Sequence, residues 1–542
     1  MAFGAKTITQ IGLRVRSARG WRRALWAFGG GVGAALSMAP YYFLPLLLVG
    51  FCVLVWLADG VWQNHKRKRF AGFATGWWFG FGYFLAGMYW MSFSFFVQAD
   101  QFALLSPLAL FGLPAFLALF PALAVMLALK FWRKDWLRVL VLAGFYSVFE
   151  YLRGHILTGL PWNLTAQAMA GNAVLPQMTA WLGPYGFGLL VLVLSALPAA
   201  MVTGKAGRVG LWPGLASGLG FAGIFLFGLV RLWIHPSTDN MNIEIHIVQP
   251  NIPQREKIDW DLWQQNFMRH VDLSRLDGKG AGDKRLIVIW PENAVSLLAE
   301  ATNARGVIAD SLPENAALIS GAVRRDAPSA DSRYYNSLLV LERDDASVRD
   351  ASGFVAPMKV TASYDKHHLV PFGEYLPFYG ALKRLGLDAL APVAEGFTPG
   401  EGLQTLEVSG LKFSPLICYE VIFPGRSYKK EDRPDFIITI TNDAWFGDTA
   451  GPRQHLDQAR LRAIETGLPI MRSANTGISA VIDAQGRIEQ RLGLYQQGAI
   501  TTKLPQKSAT PFYSIIGDWI YGLLLMGIVA FLWSRHYLQQ KM

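Results

Sequence analysis

The feature that most constrains this 542-residue chain is a series of long apolar segments, seven of them within the first 235 residues and an eighth near the C-terminus. About 20 helical residues cross the roughly 30 Å of hydrocarbon in a bilayer, and most of these segments are long enough. The series therefore predicts a polytopic α-helical membrane domain with eight transmembrane helices. The segments cover residues 24–38, 41–60, 71–97, 103–129, 137–152, 176–203, 211–234 and 513–534.

Composition supports a membrane protein, because 52% of the residues are hydrophobic and only 16% are charged, against roughly 25% charged in soluble domains. The first segment has an alternative interpretation as a signal peptide, since Arg22 and Arg23 precede a short apolar run that ends in ALSMAP. Six further apolar segments follow at once and would still need insertion. This arrangement favours a first transmembrane helix.

Basic residues lie in alternate connections between the segments. Lysines and arginines precede the first segment, and HKRKR (65–69) follows the second, whereas the connections APYY and VQADQ contain neither. By the positive-inside rule, both termini are cytoplasmic and residues 236–510 lie on the opposite side. The chain is thus divided into a membrane domain (1–235), an extracytoplasmic domain (236–510) and a last helix with a cytoplasmic tail (511–542). Because the basic residues flank the membrane, the net charge of +11 does not indicate nucleic-acid binding.

The membrane part contains glycine clusters, such as GGGVGAAL and GWWFGFGYFLAGMYW, which predict closely packed helices. Glu150 and Arg153 fall at the outer end of the fifth segment, as either buried functional groups or interfacial residues. Midplane polar groups are otherwise scarce, which argues against a transporter.

From residue 236 the composition changes, and short apolar runs alternate with turn signals and two amphipathic helical stretches. This pattern is typical of an α/β layer fold whose sheets are covered on both faces. The apolar runs are IEIHIVQ (243–249), RLIVIWPE (285–292), AALISGAV (316–323), NSLLVLE (336–342), LKFSPLICYE (411–420), DFIITITNDAWF (435–446) and ISAVIDAQGRI (478–488), and the helical stretches are DLWQQNFMRHVDLSRL and GPRQHLDQARLRAIETG.

Chemistry-bearing side chains follow three of these regions: Glu292 after one strand, Lys366 with Glu374 in another stretch, and Cys418 with Glu420 after a third. An acid, an ammonium and a thiol form a set that activates a cysteine nucleophile. The carboxylate removes the thiol proton, and the ammonium favours the thiolate and neutralises a tetrahedral oxyanion. Spacing alone leaves open an ordinary buried cysteine.

The second cysteine weakens that alternative. Thiols outside the cytoplasm tend to form disulfides, yet the only other cysteine, Cys52, lies in an apolar membrane segment and is an improbable partner for Cys418. A free thiol in that compartment favours a chemical role.

Four ordered motifs, IWPE, YDKHHLVPFGEYLP, LICYE and TNDAWFG, resemble the Glu-Lys-Cys motifs of the nitrilase, or carbon–nitrogen hydrolase, superfamily. Flanked by seven apolar segments before and one after, they closely resemble the apolipoprotein N-acyltransferase family. The resemblance covers essentially the whole chain, including LTGLPWN (157–163), NIPQREK (251–257) and RSANTGISAVI (472–482). It implies an αββα nitrilase-like sandwich carried by the membrane helices.

The resemblance also implies roles for individual residues. Glu292 would be the general base, Lys366 the stabiliser of thiolate and oxyanion, and Cys418 the nucleophile. Glu374 would support the lysine or the base, and Tyr419 and Glu420 would shape the substrate pocket. Asn442, Asp443 and Trp445 are expected to line the pocket or hold strands near the thiol.

The implied reaction is a ping-pong transfer of a fatty acyl chain from a phospholipid, through a thioester on Cys418, to the N-terminal amine of a diacylated apolipoprotein. It needs no cofactor, and His367, His368 and His455 lack metal-ligand spacing with the thiol. A monomer in a bacterial cytoplasmic membrane, with a periplasmic catalytic domain, is expected. The alternatives are a membrane-tethered amidase or nitrilase, and a non-enzymatic transporter or scaffold.

Three further expectations concern the substrate path. Trp162, in a predicted outward loop, is either a lipid contact or an interfacial belt tryptophan. Where the family commonly has a tryptophan after Lys257, this chain has Ile258, with Trp260 two places later. Residues 372–394 mix apolar residues with glycine and proline and predict a membrane-dipping lid, with a plain surface loop as the alternative.

Overall fold

The computed structural model describes residues 2–64, 66–203, 208–276, 284–327, 332–343, 358–377, 384 and 396–541. Its N-terminal part is helical apart from a two-residue strand pair, Val202–Thr203 with Arg208–Val209. The helices are α1 (Ala2–Ser17), α2 (Gly20–Ala35), α3 (Pro45–Asn64), α4 (Lys68–Met88), α5 (Ala99–Phe102), α6 (Leu113–Leu117), α7 (Leu119–Ala128), α8 (Arg138–His155), α9 (Thr179–Ala196) and α10 (Trp212–Ile234).

Among the described residues, five helical segments are long and apolar enough to cross a membrane: Pro45–Asn64, Ala103–Phe131, Leu175–Met201, Trp212–Ile234 and Trp519–Leu538. They correspond to five of the eight predicted spans. The other three predicted segments are also helical, but they differ in length or polarity. Helix α2 has only 16 residues, α4 is rich in glycine and tryptophan, and α8 buries charged side chains.

Glycine clusters bring the membrane helices into close contact, as the sequence predicts. A Cβ atom on Gly31 of α2 would lie 1.9 Å from the Phe79 carbonyl oxygen of α4, and one on Gly82 of α4 would lie 2.2 Å from the Phe28 carbonyl oxygen of α2. Because neither position has room for a side chain, the two backbones pack directly against each other.

The second part of the chain contains two six-stranded mixed sheets. The first has the order β12-β1-β2-β3-β4-β5, with β1, β2 and β3 parallel. Its strands are β1 (Asp239–Gln249), β2 (Arg285–Ile289), β3 (Ala316–Arg325), β4 (Tyr334–Glu342), β5 (Lys359–Asp365) and β12 (Gly498–Pro505).

The second sheet has the order β11-β10-β9-β8-β7-β6, with β7, β8 and β9 parallel. Its strands are β6 (Leu406–Val408), β7 (Leu411–Ile417), β8 (Phe436–Thr441), β9 (Ile470–Ala474), β10 (Ser479–Ile482) and β11 (Ile488–Leu492). The run ISAVIDAQGRI (478–488), predicted as one strand, contains β10, a turn and the first residue of β11. The chain reverses because Asp483 accepts backbone hydrogen bonds from Gln485 and Arg487 in the turn.

The sheets pack face to face, and helices cover both outer faces. The remaining helices of this part are α11 (Gln254–Lys257), α12 (Trp263–Ser274), α13 (Thr302–Ser311) and α14 (Ala450–Thr466). Alternate residues of both sheets, such as Ile247 and Ile289 against Ile417 and Ile438, form one buried cluster between the sheets. This is the predicted αββα sandwich.

Helix α14 gives the sandwich its place on the membrane domain. Nearly every residue of this 17-residue helix is buried, because one side packs on the second sheet and the other packs on membrane helices in a single apolar cluster. After β12 the chain continues through α15 (Phe512–Ile516) to α16 (Trp519–Lys541). The helix layer that covers the second sheet is therefore also the interface between the sandwich and the membrane domain.

Candidate active site

Glu292 lies in the turn that follows β2. This turn packs closely on β3, because a Cβ atom on Gly321 would lie 2.4 Å from the Pro291 carbonyl oxygen, and Ala294 N donates to Gly321 O at 2.9 Å. The Glu292 side chain is buried. The strand end and the glycine contact fix the direction of the carboxylate.

Lys366 follows β5 and is also buried. Its Nζ lies 2.8 Å from Glu374 Oε1 and 3.5 Å from Glu292 Oε1, so one ammonium pairs with two carboxylates. Asn336 of β4 lies between the same carboxylates, and its Nδ2 is 2.8 Å from an oxygen of each. Glu374 also accepts from Val370 N at 2.8 Å. The structure thus brings Glu292, Lys366 and Glu374 into one hydrogen-bonded group.

The charge balance of this group sets the state of the lysine. Burial by itself lowers the pKa of the Lys366 ammonium, but the carboxylates of Glu374 and Glu292 together outweigh burial and raise that pKa above its ordinary value. Lys366 therefore remains a fixed cation at neutral pH, suited to stabilising an anion rather than to accepting a proton.

Cys418 begins a 3₁₀ helix, Cys418–Ile422, directly after β7. Its φ of 51° is left-handed, an uncommon conformation for a residue with a side chain. Burial raises the pKa of the thiol, Glu292 raises it further and Lys366 opposes both effects. The resting sulfur is therefore a protonated thiol under the electrostatic influence of the predicted base and the predicted cation.

Glu420 lies two residues after the thiol and is buried. Its carboxylate accepts hydrogen bonds from Tyr364 OH (2.8 Å), Ile417 N (2.8 Å), His367 N (2.9 Å) and His368 N (3.1 Å). Burial alone raises the pKa of Glu420, but its hydrogen bonds and the nearby His367 hold it below the ordinary value. This carboxylate joins the turn of the nucleophile to the loop of the lysine, and its contact with substrate stays a prediction.

Tyr419 and Trp162 both lie where the sandwich contacts the membrane domain, with different partners. Tyr419 OH donates to Gly159 O at 3.1 Å. The Trp162 ring is buried, with its centroid 4.9 Å from that of Trp90 and 5.7 Å from that of His455. A buried indole is unlike a membrane-belt tryptophan, and the predicted lipid contacts of both residues stay predictions.

Arg153 and Glu150 of α8 hold the loop that carries Trp162. The Arg153 guanidinium donates to Leu160 O and Trp162 O, both at 2.6 Å, and Glu150 accepts from Thr165 N at 2.8 Å. Of the two interpretations that the sequence left open, the structure favours buried groups that position a loop.

A second polar network lies behind the sulfur. His455 Nε2 lies 3.1 Å from Cys418 O and its Nδ1 lies 2.9 Å from Asp443 Oδ1. Arg472 donates to the other oxygen of Asp443 at 2.8 Å. Cys418, Asp443 and His455 place possible metal-ligating atoms within 4.8 Å of one another, but the contacts with Arg472 and Cys418 O already use Asp443 and His455 in holding the protein together.

Three residues of the site were missed by the sequence analysis: Asn336, Lys257 and Thr441. Lys257 of α11 donates through Nζ to Glu292 O at 2.7 Å, and Thr441 contacts the sulfur at 3.2 Å. They lie in the stretches NSLLVLE, NIPQREK and TNDAWFG respectively, and a lone amide, lysine or hydroxyl in such a stretch has no partner at a diagnostic spacing.

The substrate-path expectations have mixed outcomes. Ile258 and Trp260 are both exposed, at 45% and 69% of their surface, and a substrate contact for Trp260 stays untested. The predicted lid, 372–394, lies mostly outside the described residues.

Both parts of the chain match known protein families. Residues 245–513 match the carbon–nitrogen hydrolase family and residues 30–197 match the apolipoprotein N-acyltransferase N-terminal domain. Among solved structures, a carbon–nitrogen hydrolase superfamily protein from Xanthomonas campestris shares 20% identity over 52% of this chain and 96% of its own, with a TM-score of 0.30. An amidase of Nesterenkonia shares 20% identity over 49% and 92%, with a TM-score of 0.31. By the family match over residues 245–513, the sandwich is a carbon–nitrogen hydrolase domain, joined here to a helical membrane domain.

Relatives with both domains define the family further. The apolipoprotein N-acyltransferase of Rhodopseudomonas palustris is 39% identical over 94% of this chain and 95% of its own length. Those of Bradyrhizobium diazoefficiens and Brucella melitensis are 40% and 39% identical and cover 94% and 96% of this chain, and the same shares of their own lengths. The chain belongs to the apolipoprotein N-acyltransferase family, which confirms the resemblance stated from the motifs.

Proposed function

We propose that this protein transfers a fatty acyl chain from a phospholipid to the N-terminal α-amine of a diacylglyceryl-cysteine lipoprotein, the last step of lipoprotein maturation. Membership of the family supports the reaction class. The observation that carries the mechanism is the Lys366 ammonium, held between Glu292 and Glu374 and electrostatically coupled to the Cys418 thiol.

In the first half-reaction Glu292 accepts the proton of the Cys418 thiol, and the thiolate attacks an ester carbonyl carbon of the phospholipid. Lys366 stabilises the negative charge that develops on the carbonyl oxygen. The carbon–oxygen bond to the glycerol then breaks, and Glu292 returns its proton to the departing alkoxide. A lysophospholipid leaves and the thioester remains.

In the second half-reaction the lipoprotein amine, in its neutral form, attacks the thioester carbonyl carbon. Glu292 accepts a proton from the attacking nitrogen and passes it to the sulfur as the carbon–sulfur bond breaks. The products are an amide and the starting thiol. Because a thioester is attacked readily by an amine, the transfer needs no nucleotide or metal.

The other predicted residues support this pair of steps. Glu374 fixes the lysine between two carboxylates, and Glu420 fixes the turn that presents the sulfur. Tyr419 and Trp162, at the junction of the two domains, lie where a lipid substrate rising from the bilayer would first meet the site. Their proposed contact with lipid rests on this position.

The membrane domain fixes the site at the height of the lipid headgroups. We infer eight crossings, cytoplasmic termini and a periplasmic catalytic domain in the bacterial cytoplasmic membrane, supported by the positive-inside pattern and by the five apolar helical segments. The burial of α14 between sheet and membrane helices keeps the sulfur close to the bilayer surface, which supplies proximity to two anchored substrates.

Mass spectrometry of the purified full-length protein, incubated with phospholipid vesicles, tests the first half-reaction. We expect one acyl adduct on Cys418 that disappears when a diacylated lipopeptide is added, with formation of a triacylated peptide. The Cys418→Ala variant should form neither adduct nor product, whereas Cys52→Ala should form both, because Cys52 lies in α3.

The same experiment separates the alternatives. A hydrolase would release free fatty acid at the same rate with and without the peptide. A scaffold or transporter would give no adduct, and its function would not depend on the thiol. Either result contradicts the transferase proposal.

A further inference from the structure

Thr441 ends β8 with its side chain beside the sulfur. Its Oγ1 lies 3.2 Å from Cys418 Sγ and 3.2 Å from Asp443 Oδ1, and the residue is fully buried. A hydroxyl has a single proton to donate. The hydroxyl can therefore donate to the sulfur or to the carboxylate, but not to both at once.

The carboxylate is a permanent acceptor for this proton. Arg472 donates to Asp443 at 2.8 Å, and His455 lies 2.9 Å from the oxygen that faces the hydroxyl. Burial alone raises the pKa of Asp443, but these two side chains outweigh it and hold that pKa below the ordinary value. Asp443 thus stays ionised at neutral pH and satisfies the hydroxyl whenever the sulfur is a poor acceptor.

The acceptor strength of the sulfur changes during the proposed reaction. A thiol or a thioester sulfur is a weak acceptor, whereas a thiolate carries a full negative charge and forms strong, charge-assisted hydrogen bonds. The thiolate appears twice, before attack on the phospholipid and on departure from the thioester. A hydroxyl with two equidistant acceptors can follow this change by rotating about one bond.

We propose that Thr441 is a further catalytic residue, whose hydroxyl donates to the thiolate of Cys418 in both half-reactions and to Asp443 in the thiol and thioester states. This inference deepens the proposed function and rests on it for the two thiolate states. No covalent bond to Thr441 forms or breaks: the proton stays on Oγ1, and the thiol proton still passes to Glu292.

The other charged groups around the sulfur leave room for such a donor. Lys366 favours the thiolate, but two carboxylates share its charge. Glu292 and Asp443 disfavour the thiolate, and burial does so most strongly. Lys257 of α11 is also electrostatically coupled to the sulfur. A neutral hydroxyl adds a directional contact that none of these charges supplies.

The test uses the full-length protein in a Cys52→Ala background, so that Cys418 is the single thiol. Thr441→Val removes the hydroxyl and keeps the shape of the side chain, and Thr441→Ser restores the hydroxyl. Thr439→Val is the matched control, because Thr439 lies two residues earlier on the same face of β8, is equally buried, and its Oγ1 has no hydrogen-bond partner among the described residues.

Two readouts are measured. The first is the pH dependence of Cys418 alkylation by iodoacetamide, which needs no lipid and reports the pKa of the thiol. The second is the single-turnover rate of thioester formation from phospholipid vesicles. The free energy of a hydrogen bond to a charged group is large enough that losing this bond should slow thioester formation about 10- to 100-fold.

We expect Thr441→Val to move the alkylation midpoint upward by about one pH unit or more and to slow thioester formation about 10- to 100-fold. Thr441→Ser should recover most of both effects, and Thr439→Val should match the parent. An unchanged midpoint in Thr441→Val, or an equal shift in Thr439→Val, overturns the proposal.

The two readouts also separate this inference from the proposed function. If the parent protein forms no acyl adduct with phospholipid, the transferase proposal fails, while the alkylation profiles still decide whether Thr441 stabilises the thiolate. If the adduct forms and the profiles of parent and Thr441→Val coincide, only the role of Thr441 fails.

Discussion

Two buried charge clusters, one in each domain, pair acidic with basic side chains in opposite proportions. In the membrane domain Asp59 of α3 lies between two cations: Arg16 at 2.9 Å and Arg138 at 3.1 Å. In the catalytic domain Lys366 lies between the carboxylates of Glu292 and Glu374. The first cluster has an excess of positive charge and the second an excess of negative charge.

The partners of the two clusters explain why only one is suited to chemistry. Asp59 also accepts from Trp132 Nε1 at 2.9 Å, and both arginines donate to Val202 O, at 3.1 and 3.3 Å. The cluster therefore joins five separate segments of the chain, and its carboxylate accepts from three side chains. In the catalytic cluster two carboxylates share one ammonium and one amide, so neither carboxylate is held between two cations as Asp59 is.

Glu292→Gln should show the largest effect that distinguishes the clusters. The amide keeps the size of the side chain but cannot accept the thiol proton, and general-base catalysis contributes about 10²- to 10⁴-fold. We expect a loss of that size in the single-turnover rate of thioester formation, with an unchanged thermal unfolding midpoint in detergent.

Glu300→Gln is the matched control for this change, because Glu300 lies a few residues later in a partly exposed ion pair with Arg325. Its rate should stay close to that of the parent. A Glu292→Gln protein that unfolds readily but keeps its rate per folded molecule would make this cluster structural, like that of Asp59.

Asp59→Asn should give the opposite result. Removing the carboxylate leaves two buried arginines without their counter-charge, and breaking a buried pair in this way costs about 3–5 kcal/mol of stability. We expect a lower unfolding midpoint in detergent and a normal rate per folded molecule. Asp135→Asn, in a more exposed pair with Arg133, should change the unfolding midpoint little. An equally large change in this variant would show that burial of the Asp59 cluster adds nothing to its contribution to stability.

The sequence predicts the catalytic cluster better than the membrane cluster, and the reason is physical. Glu292 and Cys418 each follow a predicted apolar strand, whereas Lys366 follows β5, which was not predicted. Strands that run in the same direction bring their carboxyl ends to one edge of a sheet, but β2 and β5 belong to the first sheet and β7 to the second. The packing of the two sheets is therefore also needed to bring the thiol to the other two groups. In the sequence, Arg16 and Arg138 are basic residues that flank apolar segments, as the positive-inside pattern predicts. Their contact with Asp59 arises only from the packing of the helices, which the sequence does not show.

Strand prediction failed where one face of the strand is exposed. Strand β5 alternates exposed residues with partly or fully buried ones, so it lacks the continuous apolar run by which the buried strands were predicted. Thr441 and Asn336 were missed for a different reason: a hydroxyl or an amide acquires a role only from the neighbours that the fold supplies. The four motifs of the superfamily, rather than periodicity, identified the site.

Asn336→Ala tests the amide that both carboxylates share. Hydrogen bonds to charged groups contribute about 1.5–3 kcal/mol, and their loss lets the two carboxylates move relative to Lys366. We expect thioester formation to slow roughly tenfold or more, with less effect than Glu292→Gln, since the base itself remains. Asn303→Ala, at an exposed position of α13, is the control; equal rates in the two variants would show that Asn336 does not position the base.

Lys257 lies at the border of the catalytic cluster. It contacts the backbone of Glu292 and not a carboxylate, so its substitution tests whether the cluster includes it. Its Nζ donates to Glu292 O at 2.7 Å. Burial lowers the pKa of Lys257 to about 8, against the opposing attraction of Glu292 and Cys418. A lysine whose pKa is lowered on folding disfavours the folded state below that pKa, where the folded protein must carry the buried charge.

Lys257→Met should therefore stabilise the protein and slow the reaction. Methionine fills the same space without a charge, so the unfolding midpoint at pH 7 should rise, and the advantage should fade as the pH increases from about 8 toward 10, where the lysine of the folded parent is neutral. The rate of thioester formation should fall a few-fold, which corresponds to the free energy that one hydrogen bond contributes. Lys412→Met is the control, because Lys412 lies in an exposed ion pair with Asp432, and it should change neither the midpoint nor the rate appreciably. A Lys257→Met protein that is less stable at pH 7 would contradict this expectation. It would show that Lys257 stabilises the fold, as the arginines around Asp59 do.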